Sequence, residues 1–218
     1  MKIKVCGMRD AENIKALVKL KIDFIGFIFH EKSPRNVSEK PKVVIPKNIK
    51  KVGVFVNKPL AFLQGKAQEF DLDYIQLHGK ESPEFCLEAK QLGLKVIKAF
   101  NINDTFDFEK LKPYEVNCDY FLFDAFGKQA GGNGVVFNWQ LLENYKGDKP
   151  FLLSGGINKN MYQEISNFKH KQCIGIDINS GFEIKPALKD VEEIKIFIDK
   201  ITKNTPLTPL LEGNNGVK

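Results

Sequence analysis

Residues 52–77 read VGVFVNKPLAFLQGKAQEFDLDYIQL, and this stretch decides the fold. It opens with a short β-rich apolar run, Val52 to Val56. It continues through Leu60 to Phe70, where apolar residues gather on one helical face, and closes on a second strand-like run, Tyr74 to Leu77. Two short strands joined by such a helix pair in parallel, because parallel neighbours need a crossover connection.

The same alternation extends to both sides. Further candidate strands are Ile3 to Cys6, Phe24 to Phe29, Lys95 to Ala99, Tyr120 to Asp124, Phe151 to Ser154 and Ile174 to Ile178. Helical patterns occupy Ala11 to Leu20, with Ile14, Leu17 and Val18 on one face, and Pro83 to Leu92. A last one, Val191 to Ile201, carries Ile194, Ile196, Phe197, Ile198 and Ile201. Eight such units close into a single α/β domain, a (β/α)8 TIM barrel of parallel strands. A chain of 218 residues is short for that fold, so some helices must be abbreviated. Pro41 and Pro46 predict a short or irregular one between residues 38 and 50. A flavodoxin-like sheet is the alternative, but it uses fewer strands and leaves the last units unexplained. The barrel is expected over residues 1–203. Residues 204–218, with two Thr-Pro steps and Glu212-Gly213-Asn214-Asn215-Gly216, read as a loose tail.

Composition narrows the function. The longest apolar runs, Phe24 to Phe29 and Tyr120 to Phe123, fall far below the roughly 20 residues of a membrane span. The N-terminus enters a strand-like run without an apolar leader, so a cytoplasmic location is expected. The net charge of +6 comes from Lys scattered among Asp and Glu, without a basic stripe interleaved with aromatics. Nucleic acid is therefore not an expected partner, and the surplus fits attraction for anionic small molecules. Cys6, Cys86, Cys118 and Cys173 lie far apart, as do the three histidines, which argues against metal and disulfide sites.

In a barrel of this kind the chemistry sits where the strands end. Those ends read Lys4-Val5-Cys6-Gly7, Ser33-Pro34-Arg35, Val54-Phe55-Val56-Asn57 and Gln76-Leu77-His78-Gly79. Then come Asp124 with Gly131-Gly132-Asn133-Gly134 and Phe137-Asn138-Trp139, Ser154-Gly155-Gly156, and Asp177-Ile178-Asn179-Ser180-Gly181. In this order, up to Asp190, the pieces resemble the phosphoribosylanthranilate isomerase family. Three positions depart from the usual pattern. Ala187 follows Pro186 where the family often has Gly, and Asn133 and Asn138 replace the usual Ser or Thr and Asp.

The resemblance implies an Amadori rearrangement without cofactor or metal, on a small phosphorylated substrate; a monomer or homodimer is expected. It implies Cys6 as general base and Asp124 as general acid. Each has a plainer reading: Cys6 as a small buried residue at a strand end, Asp124 as a loop carboxylate or helix cap. Only Arg9 and Arg35 interrupt the lysines among 33 basic residues. The planar fork of Arg35 suits the anthranilate carboxylate of the implied substrate, with a surface ion pair as the alternative. Gly155, Gly156, Ser180 and Gly181, following strands seven and eight beside Asp177, occupy the positions where this fold often builds phosphate sites, unless they are ordinary tight turns. His78 reads as a hydrogen-bonded structural residue or an acid–base group. Lys4 shares the strand parity of Cys6, points into the barrel and needs an anion, for which Asp177 is a candidate; otherwise it snorkels to the lower mouth. Positive charge from Lys4 is expected to lower the thiol pKa of Cys6.

Overall fold

The computed structural model describes residues 1–125 and 139–204. Its strands are β1 (Lys2–Val5), β2 (Phe24–Ile28), β3 (Lys50–Phe55), β4 (Tyr74–Leu77), β5 (Lys95–Ile102), β6 (Tyr120–Ala125), β7 (Phe151–Ser154) and β8 (Cys173–Ile178). Each pairs in parallel with the next, and β8 returns to β1 to close the barrel.

The outer layer is uneven, as the chain length requires. Helices α1 (Ala11–Leu17), α2 (Leu60–Phe70), α3 (Pro83–Gln91), α4 (Tyr162–Asn167) and α5 (Val191–Asn204) are joined by 3₁₀ segments at Phe108–Tyr114 and Trp139–Asn144. Between β2 and β3 there is no helix. The helix expected to reach Leu20 stops at Leu17. Local chemistry sets the starts: the Asp10 carboxylate accepts from the Asn13 amide at 2.7 Å, and Ser82 caps α3 ahead of Pro83. A short hairpin not foreseen from sequence, β9 (Glu183–Lys185) and β10 (Leu188–Lys189), follows β8. Its turn holds Ala187 at φ 66°, a left-handed conformation that glycine adopts far more readily.

Two apolar layers hold this together. Between strands and helices lies the larger one, including Phe27, Phe29, Phe55, Phe70, Phe123, Phe151 and Phe197. Inside the barrel Phe24, Val52, Tyr74, Ile97, Leu122 and Leu152 pack with Tyr120 and Ile174. The Tyr74 ring meets Phe24 edge-on at 5.4 Å and stacks on Tyr120 at 5.9 Å. This plug fills the barrel below the strand ends, so the polar residues above it form a floor rather than line a channel.

Candidate active site

That floor belongs to a cavity of about 180 Å³ lined by Cys6, Ile28, Val54, Gln76, His78, Asp124, Ser154, Gly155, Gly156, Asp177, Asn179 and Ser180, with Ile157. Seven of the eight strands contribute through their C-terminal ends. A larger hollow of about 770 Å³, lined among others by Met1, Lys2, His170 and Ile174, lies outside the β8–β1 seam and holds none of these groups.

Cys6 is buried beside a made-to-measure gap in β2. A Cβ on Gly26 would stand 2.8 Å from Cys6 Sγ and 3.2 Å from Lys4 Nζ, so glycine there leaves room for both. Lys4, fully buried, donates to both carboxylate oxygens of Asp177 at 3.0 Å each. The snorkelling alternative for Lys4 therefore falls away.

Across the cavity, Asp124 Oδ2 lies 3.3 Å from His78 Nε2, and His78 Nδ1 lies 3.0 Å from Gln76 Nε2. With the Gln76 amide donating, Nδ1 accepts, and Nε2 carries the proton toward Asp124. The turn bearing His78 is clamped from behind. The Glu81 carboxylate accepts from the amides of Asn57 and Gly79, and Lys98 Nζ binds Glu81 and the carbonyls of Leu77 and Gly79.

The third wall is main chain. Gly155 and Gly156 have φ of 95° and 65°, and nothing lies within 4 Å of a Cβ built on Gly156. Gly181 meets the neighbouring loop so closely that its Cβ would stand 2.1 Å from the Ile157 carbonyl oxygen. The loops after β7 and β8 are thus joined through an Asn158–Gly181 bridge.

At the rim, the Arg35 stem crosses Gly7, whose Cβ would meet Arg35 Cδ at 2.9 Å. The guanidinium grips Glu183, with Nη2 to Oε2 at 2.6 Å and Nε to Oε1 at 2.9 Å.

A family model for N-(5'phosphoribosyl)anthranilate (PRA) isomerase matches residues 3–200. The chain belongs to this family. It is 48% identical over 209 residues to the N-(5'-phosphoribosyl)anthranilate isomerase of Parabacteroides distasonis, covering 92% of this chain and 93% of that one. It superposes on the crystal structure of phosphoribosyl anthranilate isomerase from Thermotoga maritima with a TM-score of 0.81 at 31% identity, over 93% and 99% of the two chains. A crystal structure of a phosphoribosyl anthranilate isomerase in complex with reduced 1-(o-carboxyphenylamino)-1-deoxyribulose 5-phosphate matches with a TM-score of 0.80 at 29% identity, over 93% and 99%.

Within this isomerase barrel, Cys6, Asp124, His78, Asp177, Gly155, Gly156 and Ser180 share one cavity, with Lys4 beneath it and Gly181 beside it. Arg35 stands at the rim, already occupied by an internal carboxylate. The segment with Gly131, Gly132, Asn133 and Gly134, together with Phe137 and Asn138, lies outside the described residues, as do residues 205–218. Among the described residues, no helix is long and apolar enough to cross a membrane, and no group of His, Cys, Asp and Glu is arranged to hold a metal.

One expectation holds for its cause but not for the net result. Burial pushes the Cys6 thiol above its ordinary pKa; Lys4 pulls the other way, but Asp177 opposes it. Lys4 does lower the thiol pKa, but burial outweighs it and the net direction is upward. Sequence reasoning also passed over Gln76, Asn179, Gly26, Glu183 and Lys189. Gln76 and Asn179 stood inside the quoted strand ends and carried that signal. Gly26 and Glu183 depend on partners distant in sequence, and Lys189 on the hairpin that folds it back onto Glu183 and Asn179.

Proposed function

We propose that this chain converts N-(5-phosphoribosyl)anthranilate to 1-(2-carboxyphenylamino)-1-deoxyribulose 5-phosphate, with Asp124 as general acid and Cys6 as general base. The observation that carries the reading is the placement of these two groups, from β6 and the end of β1, on opposite walls of one cavity with a glycine-rich third wall. The turns at Gly155-Gly156 and Ser180-Gly181 receive the phosphate through backbone N–H groups, and Arg35 takes the anthranilate carboxylate.

Asp124 protonates the ribose ring oxygen. The C1–O bond breaks as the anilino nitrogen forms C1=N, opening the ring to a Schiff base. The Cys6 thiolate then removes the proton from C2, giving an enol-amine that tautomerises to the ketone. The step moves hydrogen within one substrate, so it needs only positioning and two proton transfers, without cofactor or metal. A phosphorylated metabolite as substrate fits a cytoplasmic enzyme with a small-molecule partner, acting as monomer or homodimer through one barrel domain over residues 1–203.

The test generates the substrate in situ and follows the loss of its fluorescence. Cys6→Ser and Asp124→Asn are each expected to lower kcat by at least ~100-fold with far smaller changes in substrate affinity. A folded Cys6→Ser enzyme with near-native kcat, chemistry being rate-limiting, removes the thiolate base. Binding without turnover by the native protein would instead mark a sensor.

A further inference from the structure

Glu183 lies in the β9–β10 hairpin, outside every sequence motif quoted above. Its side chain is 5% exposed and is met by donors on several sides. Arg35 reaches it through Nε and Nη2, buried Lys189 Nζ through Oε1 at 2.6 Å, and the Ala187 amide through Oε1 at 3.1 Å. Lys189 also donates to Asn179 Oδ1, in the cavity lining, at 2.7 Å. One carboxylate is thus shared by an arginine and a buried lysine, so Glu183 alone does not balance the cluster.

The geometry says where that charge points. A guanidinium offers five N–H groups on a rigid plane. Glu183 takes the side edge, Nε and one Nη2 hydrogen. Nη1 and the second Nη2 hydrogen make up the end edge, and no acceptor among the described residues takes Nη1. An end edge of two parallel N–H groups suits a second carboxylate. The Arg35 stem lies against Gly7, next in chain to Cys6, which places the arginine at the rim of the reaction cavity.

We infer that Glu183, anchored by Lys189, is the positioning residue that orients Arg35 so that its free edge receives the substrate carboxylate, an inference that rests on the role of Arg35 given above. Without Glu183 the long arginine side chain regains its rotamers and must pay their entropy on each binding event. Glu183 is thus a support for the site and not a competitor for it.

The experiment measures KM, kcat and inhibition by two simple probes, anthranilate for the carboxylate subsite and inorganic phosphate for the glycine turns. Glu183→Gln is expected to raise KM by about 10- to 100-fold with a smaller change in kcat, and to weaken inhibition by anthranilate. Inhibition by phosphate should be retained, although the turn at Ser180-Gly181 is only two residues away. In an Arg35→Lys background the same change should add little, because the two residues act as one unit. If Arg35→Lys itself leaves KM unchanged, the assignment of Arg35 fails and the inference with it. If Arg35→Lys raises KM but Glu183→Gln does not, the positioning role alone fails. A lowered KM would make Glu183 a competitor, and equal loss of both probes would make it a scaffold; either overturns the inference. Should Glu183→Gln not fold, Glu183→Asp, which keeps the charge but withdraws it by one methylene, is read by the same criteria.

Discussion

Cys6 carries a conflict between position and chemistry. A general base should ionise easily, yet burial raises the pKa of this thiol despite the ammonium of Lys4 nearby. The site therefore favours the thiol, and the reactive thiolate is a minor form near neutrality. Activity should follow that fraction. From pH 6 to 8, kcat/KM is expected to climb with the thiolate fraction, by up to about tenfold per unit. A flat profile over this range, with chemistry limiting, would contradict a thiolate base. Stability carries the same sign: the unfolded thiol ionises first, so this contribution is complete below about pH 8.5 and is lost as pH rises through the higher folded value. Much of this residue-level picture was legible beforehand, because the barrel places reactive side chains at strand ends and parity fixes which point inward. The Arg35–Glu183 pair was not. Its members stand 148 residues apart, and any of 33 scattered cations could have met Glu183.

At the scale of elements, the β9–β10 hairpin is the clearest case of local preference overridden. Ala187 sits at φ 66°, where its Cβ crowds the backbone, and its amide is held there by the Glu183 carboxylate. Ala187→Gly is expected to stabilise the protein by about 1 kcal/mol, which for a domain of this size raises Tm by roughly 2–4 °C. Thermal unfolding of the two proteins checks this, and an unchanged or lower Tm would show that the turn absorbs the strain. The sequence marked this position as unusual through Pro186-Ala187, although the hairpin itself, only a few residues long, leaves no periodicity to detect. Long elements were readable for the opposite reason. In α5, Ile194, Phe197, Ile198 and Ile201 recur at helical spacing and are buried, while Ile196, read with them, falls off that face and is exposed. The 3₁₀ segments replacing helices after β5 and at Trp139–Asn144 were not, since Phe108–Tyr114 contains Pro113 and neither run spans enough turns to display a face.

For the whole molecule, the decisive join is between β1 and β8, where Lys4 pairs in register with Asp177 and binds its carboxylate inside the barrel. Removing one partner leaves the other buried and unpaired. Lys4→Met is expected to cost about 3–5 kcal/mol, and adding Asp177→Leu should recover much of it, since a matched apolar pair avoids the stranded charge. Denaturant unfolding of the single and double variants measures both. If the single variant loses less than about 1 kcal/mol, the pair is not what fastens the seam. Activity would not return with stability, because the double variant also lacks the charges beside Cys6.

The same seam has a meaning in the time of synthesis. Lys4 and Asp177 lie 173 residues apart, so at about 5–20 residues per second the ribosome adds the second roughly 9–35 s after the first. Throughout that interval the ammonium of Lys4 has no buried carboxylate to meet, and a partial barrel that enclosed it would strand a charge in an apolar interior. Premature closure is thereby penalised. The first strand is thus expected to stay open to water until β8 is available, and the thiol of Cys6 to enter its pocket only then.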